Sequence, residues 1–563
     1  MTGNVLVSLV VWTPLVGAVL LLLVPREQPE GIRRAALAFS LVTFALSLAL
    51  WAGFRPDTAE FQYLEQRPWV PDYGIQYLLG VDGVSLFLVL LTTFLTPIVV
   101  LSSFGDITRH VKEYYFFMLM LETGMLGAFV ALDLFLFYVF WELMLVPMYF
   151  IIGVWGGPRR IYASIKFLIY TLAASLLMLV AILYLVLVHA RSAPMTFDLR
   201  VLYDVALSPT EQLWLFAAFA LAFAVKVPMF PLHTWLPDAH VEAPTGGSVI
   251  LAGVLLKLGT YGFLRFAMPL FPDAMLAATP LILALAVVGI LYGAAVAMVQ
   301  PDLKKLVAYS SVSHLGFVML GLFALNVVGI EGAVYQMLSH GLSTGALFLL
   351  VGMIYERRHT RMIADFGGLW RPLPRWAAVF MLVALSSIGL PGLNGFVGEF
   401  LILLGAFGAN RTAAVLGAGG IVLGAVYMLW MYQRVIFGPI RHEENRGLSD
   451  LTPREIAVLA PVAAMIVVMG VYPTPFLRAM EPSVKGIVAR IESRQQARAS
   501  RPAAAAEAAA AAPSSVRVDT AGPTRVPDTP AVAGDGGTPA APAADPARAA
   551  VRSSAGAAAR TDA

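Results

Sequence analysis

The sequence predicts an all-α polytopic membrane protein of about 14 transmembrane helices, with two inverted five-helix repeats containing broken helices 7 and 12. Three observations carry this prediction. The 563 residues are 59% hydrophobic and only 13% charged, and the mean hydropathy is +0.78. Apolar windows of about 20 residues, long enough to cross a bilayer as helices, recur from residue 4 to residue 474. Two windows, five apart in order, contain proline breaks, and an odd spacing inverts one repeat relative to the other.

Composition limits what the chain binds by itself. The net charge of +3 is too small to indicate a nucleic-acid partner. Cysteine is absent, which excludes disulfides, thiolate metal sites and iron–sulfur ligation. The sequence has no P-loop and no dinucleotide fingerprint, so we expect no cofactor in this chain. Residues 4–24 follow no basic segment and are interpreted as a first spanning helix rather than a signal peptide.

The predicted organisation has five parts. Residues 1–110 hold helices 1–3, residues 111–270 the first repeat (helices 4–8), and residues 271–440 the second repeat (helices 9–13). Residues 441–493 hold helix 14 and a C-terminal segment. From residue 494 to 563 the chain is rich in Ala and Pro and lacks the apolar surface to fold, so we expect a disordered tail.

Loop charges predict the orientation. Most Lys and Arg fall in loops after odd-numbered helices, which places those loops in the cytoplasm and both termini on the opposite side. Loops after even-numbered helices hold only Arg55, Arg67, Arg191, Arg200, Arg265 and Arg411. The loop after helix seven has no Lys or Arg, and we expect it to be tucked against the protein.

The seventh helix is interrupted beside a buried cation. Pro228 and Pro231 follow Lys226, and proline cannot donate a backbone hydrogen bond to the carbonyl four residues back. The carbonyls of Ala224 and Val227 are therefore expected to be free. In hydrocarbon such groups must be satisfied by protein or by water in a cavity. A broken membrane helix with an ammonium at the break is typical of an ion site near mid-membrane.

The twelfth helix repeats this pattern with an acid. It contains LSSIGLPGLNGFVGEF, in which Pro391 stands among glycines and Glu399 follows the break. Glu142, in FYVFWELMLVPMYF, is the other candidate carboxylate, and Lys226 is its natural partner. Moving Glu142 away would favour loss of the Lys226 proton, so the pair can act as a switch. The alternative is a static ion pair that holds two helices together.

Lysine use also indicates proton handling. Only seven of the 38 basic residues other than histidine are Lys, yet Lys226 and Lys257 lie inside apolar runs and Lys166 lies just inside one. A buried Lys can release its proton, whereas Arg cannot. The alternative is Lys snorkelling near helix ends. Lys257 has no acid nearby in sequence, so it is either neutral or hydrated, and both states suit a relay.

Two histidines complete the candidate set. His314 and His340 lie among serines in AYSSVSHLGFV and SHGLSTGALF, and histidine titrates near neutrality. The alternative is that they are packed hydrogen-bonding residues. Spread over several helices, these groups cannot form one compact catalytic centre, but they can form a line bridged by water. The candidate proton relay is therefore Glu142, Lys226, Lys257, His314, His340 and Glu399.

A metal site is not expected. The residues His233, Asp238, His240 and Glu242 lie close in sequence, but their spacing is not a recognised zinc pattern. The segment WLPDAH is interpreted as a turn between helices.

The combined motifs carry a specific resemblance. VPMFPLHTWLPDAHVEAPTGGSVILAGVLLKLGTYGFLR closely resembles the antiporter-like subunits of respiratory complex I, and DLKKLVAYSSVSHLGF with QMLSHGLSTGALF supports the same family. GLPGLNGFVGEF, with Glu399, resembles the M-type branch, whereas the related branches usually carry Lys at this step. The likeness covers roughly residues 70–440.

The resemblance implies both roles and partners. It implies that Glu142 and Lys226 form a modulating pair, that Lys257 and His314 form the central relay, and that Glu399 is the step toward the outer face. It also implies flanking antiporter-like subunits, smaller membrane subunits and an arm that oxidises NADH. NADH, FMN, iron–sulfur clusters and quinone are accordingly expected in partner subunits. Two other functions remain open: a subunit of a multi-subunit Na+/H+ antiporter, and a passive scaffold whose buried charges only fix helix packing.

Overall fold

The protein is almost entirely helical in the computed structural model, which describes residues 5–511. The helices, in chain order, are α1 Leu6–Leu21, α2 Pro29–Ala52, α3 Gly83–Asp106, α4 Val111–Val130, α5 Leu134–Leu143, α6 Leu145–Trp155, α7 Arg160–His189, α8 Leu199–Leu202, α9 Pro209–Lys226, α10 Trp235–Glu242, α11 Thr245–Ile250, α12 Leu256–Gly262, α13 Met268–Leu270, α14 Pro272–Met298, α15 Leu303–Leu322, α16 Val327–Arg358, α17 Pro374–Ser387, α18 Asn394–Ala409, α19 Arg411–Ile436, α20 Pro453–Val471 and α21 Thr474–Ala511.

Ten helical segments in this part of the chain are long and apolar enough to cross a membrane. Three shorter apolar helices, α1, α17 and α18, accompany them. Composition and helix length together make this a multi-pass membrane protein.

A β-hairpin departs from the all-α prediction. Strands β1 (Gln62–Val70) and β2 (Ile75–Val81) pair antiparallel between α2 and α3. The turn between them requires Gly74, whose φ is +67° and where a Cβ would collide with the backbone of Met195. The strand was missed because Pro68 lies within β1, and proline argues against a strand in sequence-based assignment.

Three helical stretches form the interior of the bundle. The segment Thr245–Leu270 and helix α16 are buried along the whole of their most apolar windows, and α15 is nearly so. A membrane helix surrounded by protein on all sides has no lipid-facing side, so polar groups on it need protein or water partners. Lys257, His314 and His340 all lie on these three stretches.

Two gaps between helices contain the prolines singled out in the sequence. Helix α9 ends at Lys226 before α10 begins at Trp235, and α17 ends at Ser387 before α18 begins at Asn394. The expectation of a free carbonyl at Ala224 is wrong, because that carbonyl accepts a hydrogen bond from the amide of Met229 at 2.9 Å. The chain satisfies this group by a bond that spans five residues rather than four.

Two further irregularities were not predicted. The helical stretch that holds Glu142 is interrupted at Met144, where Pro147 removes the N–H that would reach the carbonyl of Leu143. The stretch that holds Lys257 contains two π-helical segments, Leu251–Leu255 and Phe263–Ala267, on either side of α12. Single π-helical turns inside α-helices are frequent at functional sites.

The C-terminal region is helical further than expected. Helix α21 continues to Ala511, so residues 494–511 are helical although we expected disorder from residue 494. The reason is the run AAAAEAAAA, since alanine has the highest helix propensity. Residues 512–563, the rest of the predicted tail, lie outside the described residues.

Candidate functional site

The π-helical turn before α12 sets up a lysine–histidine contact. The Lys257 ammonium donates to the carbonyl of Ala252, inside the first π-helical segment, and lies 2.7 Å from Nδ1 of His340. Both side chains are buried. The widened turn therefore presents a carbonyl to a lysine five residues later. Lys257, which has no acid nearby in sequence, has a histidine partner 83 residues further along the chain.

A glycine on α16 allows this contact. A Cβ on Gly341, the neighbour of His340, would lie 2.9 Å from the carbonyl oxygen of Gly253 and 2.8 Å from Leu91. Real Cβ atoms essentially never come so close to other heavy atoms, so α16 and the π-helical segment approach this closely only because residue 341 is glycine. This approach brings the imidazole of His340 within reach of Lys257.

A histidine–glutamate contact lies on the next helices. Nδ1 of His314 on α15 is 2.8 Å from Oε1 of Glu399 on α18, and both side chains are almost fully buried. The same oxygen accepts a hydrogen bond from Nε2 of Gln336 at 3.1 Å. Glu399 lies in the second turn of α18, directly after the interruption at Pro391, so the break aims its carboxylate at α15 and α16.

The two contacts meet at the histidines. The ring centroids of His314 and His340 are 5.7 Å apart. Both rings line a cavity that leaves about 10 Å³ for the centre of a water molecule, close to the room that one water needs. Hydroxyl groups complete the polar lining, namely those of Ser339, Ser343, Thr344, Ser386 and Ser387.

Lys257, His340, His314 and Glu399 thus form one buried series, which we call the central chain. Its two ends are direct side-chain contacts of 2.7 and 2.8 Å, and its middle is one imidazole-to-imidazole step. Each member can hold or release a proton, and a hydrogen bond or one bridging water is the distance over which such groups exchange it. The arrangement suits proton transfer.

Lys226 and Glu142 lie apart from the central chain. The Lys226 ammonium is buried at the end of α9, 5.1 Å from the ring centroid of Trp141 and 5.8 Å from that of Phe167. Within residues 5–511 its Nζ has no hydrogen-bond partner, and Glu142 is not within 4.0 Å of it. The aromatic faces attract the cation without neutralising it. The pair that the sequence predicts therefore does not make a salt bridge here.

Two polar residues of this region were missed in the sequence. Glu122, inside the apolar run FFMLMLETGMLGAF of α4, is fully buried, and neither carboxylate oxygen has a hydrogen-bond partner in the part of the chain described. The criterion that selected Glu142 would have found it. Gln336 precedes His340 by four residues, which places both on one face of α16, and that spacing was its only signal.

Three of the four residues considered for a metal make other contacts. Asp238 binds the ammonium of Lys166 at 2.7 Å, and Glu242 accepts from the backbone amide of Arg159 at 2.8 Å. The His240 ring stacks on Phe348 with centroids 4.6 Å apart. Among the described residues no three His, Cys, Asp or Glu side chains could hold a metal ion together.

Fold and site together define a helical membrane protein with a buried series of titratable side chains. Residues 131–424 match the family model of the transmembrane region described as "NADH:quinone oxidoreductase/Mrp antiporter, TM". The chain belongs to this family.

The chain is similar to named relatives and to a solved structure over most of its length. The chain is 48% identical over 495 residues to NADH-quinone oxidoreductase subunit M of Rhodobacter capsulatus, covering 86% of this chain and 96% of that one. It is 47% identical over 476 residues to NADH-ubiquinone oxidoreductase chain 4 of Marchantia polymorpha, covering 84% and 95%. A chain of respiratory complex I from Thermus thermophilus with bound NADH superposes with a TM-score of 0.79 at 35% identity, covering 86% of this chain and 99% of that chain.

Proposed function

We propose that this protein is a proton-translocating membrane-arm subunit of an NADH:quinone oxidoreductase, and thus part of a translocase. The observation that carries the proposal is the central chain: two buried contacts, Lys257 to His340 and His314 to Glu399, joined by a His–His step beside a water-sized cavity. The relatives that match almost end to end carry the names of complex I subunits. A buried proton path with no redox group of its own requires that the driving reaction takes place in other subunits.

We also propose that the chain crosses the membrane fourteen times and contains two repeats. The ten long apolar segments, together with α1, α4, the pair α9 and α10, and the pair α17 and α18, make fourteen spans. In this scheme residues 111–270 form the first repeat and residues 271–440 the second, with helices 7 and 12 broken. Residues 1–110 hold helices 1–3, residues 441–493 hold helix 14, and residues 494–563 form a tail.

A matching pair of helix starts supports the two repeats. Asp133 caps α5 by accepting from the amides two and three residues on, and Asp302 caps α15 in the same way. The residue after each Asp donates its amide to a distant loop, Leu134 to the carbonyl of Phe197 and Leu303 to that of Arg361. These helices are the fifth and tenth of the proposed fourteen, five apart, as are the broken helices seven and twelve.

Location and partners follow from the same assignment. We place the protein in the inner cell membrane as a multi-pass subunit, with both termini on the non-cytoplasmic side because basic residues favour the opposite loops. Its partners are other complex I membrane subunits, including flanking antiporter-like ones. NADH, FMN, iron–sulfur clusters and quinone belong to partner subunits, and the described residues offer no ligand set for a metal.

Glu142 and Lys226 are proposed to modulate entry to the central chain. Lys226 is the last residue of α9, at the helix break, and Gly259 of α12 packs against that end, where a Cβ would lie 2.7 Å from the carbonyl of Phe223. Lys226 is thus near the helix that holds Lys257. Glu142 acts on Lys226 electrostatically without direct contact, so approach and retreat of Glu142 would set when Lys226 holds a proton.

The experiment replaces relay residues in the intact complex. Lys226→Ala, Glu142→Ala and Glu399→Gln are each expected to leave assembly and NADH oxidation by an artificial electron acceptor unchanged while lowering protons pumped per electron. Pumping is measured with a pH-sensitive dye in vesicles that contain the purified complex. Unchanged pumping in all three variants would contradict the relay and support the passive scaffold.

The Na+/H+ antiporter alternative makes a different prediction. It requires sodium-dependent proton movement without NADH oxidation. The described central chain has one carboxylate, that of Glu399. Its Oε1 atom already contacts His314 and Gln336. A dehydrated sodium ion prefers several oxygen ligands, so this geometry favours protons over sodium.

A further inference from the structure

An uncharged amide accompanies the last carboxylate of the central chain. Gln336 is 2% exposed, lies one helical turn before His340 on α16, and donates Nε2–H to Oε1 of Glu399 at 3.1 Å. Its own carbonyl oxygen, Oε1, is buried and has no hydrogen-bond partner within residues 5–511. A buried amide that uses one end and leaves the other unsatisfied is uncommon and calls for a physical reason.

The neighbouring helix leaves room for this amide. Gly398 of α18 faces Gln336, and a Cβ at Gly398 would lie 2.9 Å from both Cα and Cβ of Gln336 and closer still to its Oε1. The glycine therefore permits the close approach of the two helices that puts the amide beside Glu399. The packing of α18 against α16 therefore accommodates Gln336 beside Glu399.

We propose that Gln336 is a positioning residue that holds Glu399 in place in both of its protonation states, an inference that rests on the proposed function. In the present arrangement the amide N–H supports the carboxylate. When a proton passes from Nδ1 of His314 to Oε1 of Glu399, the Nδ1–H bond of His314 breaks and an O–H bond forms on Glu399. No electrons are transferred. The new O–H group points back at Nδ1 of His314, so onward transfer of the proton requires this group to turn toward a second acceptor.

The glutamine can supply that acceptor by turning its amide. The terminal torsion of glutamine is broad and roughly two-fold, so a half-turn exchanges the NH₂ group and the carbonyl oxygen. The oxygen of Gln336 that now has no partner then faces the protonated carboxyl of Glu399. Glu399 keeps a hydrogen bond from α16 throughout, so it does not swing away from His314 when its charge changes.

Few other titratable groups face Glu399. His314 of α15 contacts it directly, and Tyr427 of α19 lies close enough to interact with it electrostatically. On α16 the nearest titratable groups in sequence are Tyr335, whose hydroxyl donates to the carbonyl of Met469, and His340, which is engaged with Lys257. The charged residues of α17 and α20 lie at the far ends of those helices, at Arg375, Arg454 and Glu455.

The test replaces Gln336 and follows pumping as a function of pH. Gln336→Met keeps the length of the side chain but can neither donate nor accept. A hydrogen bond to a charged group is stronger than one to a neutral group, so this change destabilises the carboxylate form of Glu399 more than the protonated form. The acid-side midpoint of protons pumped per electron is expected to move to higher pH by about one unit, a tenfold change in proton affinity, as for loss of a hydrogen bond to a charged group. Gln336→Asn, whose amide is too short to reach Glu399, is expected to move it in the same direction.

A matched control is available in the same chain. Gln212 of α9 also donates Nε2–H to a carboxylate at 3.1 Å, that of Asp273, and lies outside the central chain. Gln212→Met is expected to leave the pH profile unchanged. The measurements use the whole complex in liposomes with equal pH on both sides, and NADH oxidation by an artificial acceptor reports assembly.

The outcomes separate this inference from the proposed function. A moved midpoint in Gln336→Met, or in Gln336→Asn if the Met variant does not assemble, supports the positioning role. If fewer protons are pumped per electron but the midpoint of the pH profile does not move, Gln336 has only a structural role and the inference is overturned. If Glu399→Gln retains full pumping, the proposed function itself fails. If Glu399→Gln stops pumping while Gln336→Met keeps the normal profile, only the inference fails.

Discussion

Replacing His340 by leucine tests the central chain at its middle. The imidazole is the side-chain partner of Lys257 at 2.7 Å and the only ring that faces His314 across the 5.7 Å step. Leucine has a similar bulk and no polar atom, so the variant keeps the site packed and dry while it removes the bridge. Lys257 retains only the carbonyl of Ala252 as a hydrogen-bond acceptor.

The expected loss can be worked out from these contacts. A positioned acid–base group contributes about 10²–10⁴-fold to proton transfer, so transfer through this subunit is expected to fall at least about 100-fold, or about 2.7 kcal/mol. Loss of the hydrogen bond to Lys257 is expected to lower the free energy of unfolding by about 1.5–3 kcal/mol. His340→Ala is expected to be less severe, because the vacated volume adjoins a cavity that already has room for one water.

The assay is dye-monitored proton pumping per NADH oxidised in vesicles, with the artificial-acceptor reaction as the measure of assembly. Added imidazole is expected to restore part of the pumping in His340→Ala and none in His340→Leu. His189→Leu makes the same chemical change at the end of α7, away from the central chain, and is expected to pump normally. An assembled His340→Leu complex with undiminished pumping would refute the path through this imidazole.

Three further predictions concern groups that surround the path. Gly341→Val inserts atoms into a backbone-to-backbone contact and is expected to push His340 out of reach, lowering pumping, with about 1–3 kcal/mol lost from stability in a thermal-shift assay; normal pumping would show that the glycine contact is dispensable. Arg265→Leu leaves the carboxylate of Asp82 buried without its ion-pair partner at 2.5 Å, and is expected to destabilise the protein by about 3–5 kcal/mol, seen as loss of assembled complex; adding Asp82→Leu should recover much of that loss. Glu122→Gln keeps the shape of a side chain that has no hydrogen-bond partner in the described structure, and is expected to leave the melting temperature unchanged; a large drop would reveal a partner for that carboxylate.

The sequence was sufficient to single out the four residues that meet in the central chain. Lys257, His314, His340 and Glu399 are titratable residues in long apolar runs, and burying such groups is costly enough to mark them. The prolines that follow Lys226 and precede Glu399 lie in gaps between helices. Glu122 lies in an equally apolar run and is also buried.

The contacts between these residues could not be predicted from the sequence. Lys257 and His340 are 83 residues apart, and their contact depends on a π-helical turn and on Gly341, whose effect appears only when two helices meet. Glu142 acts on Lys226 electrostatically but without direct contact, and aromatic faces flank the ammonium. The hairpin has a weak sequence signal because β1 contains Pro68.

The gap between the imidazoles of His314 and His340 affects passive leakage of protons through the subunit. Lys257 with His340, and His314 with Glu399, are tight couples in which a proton can shift without any atom moving far. Only the step between the couples needs a water or a turning ring, and the space there is about 10 Å³. This one narrow place therefore decides whether the resting subunit insulates the membrane. A substitution that widened it would convert the subunit into a passive conductor that dissipates the gradient the complex builds.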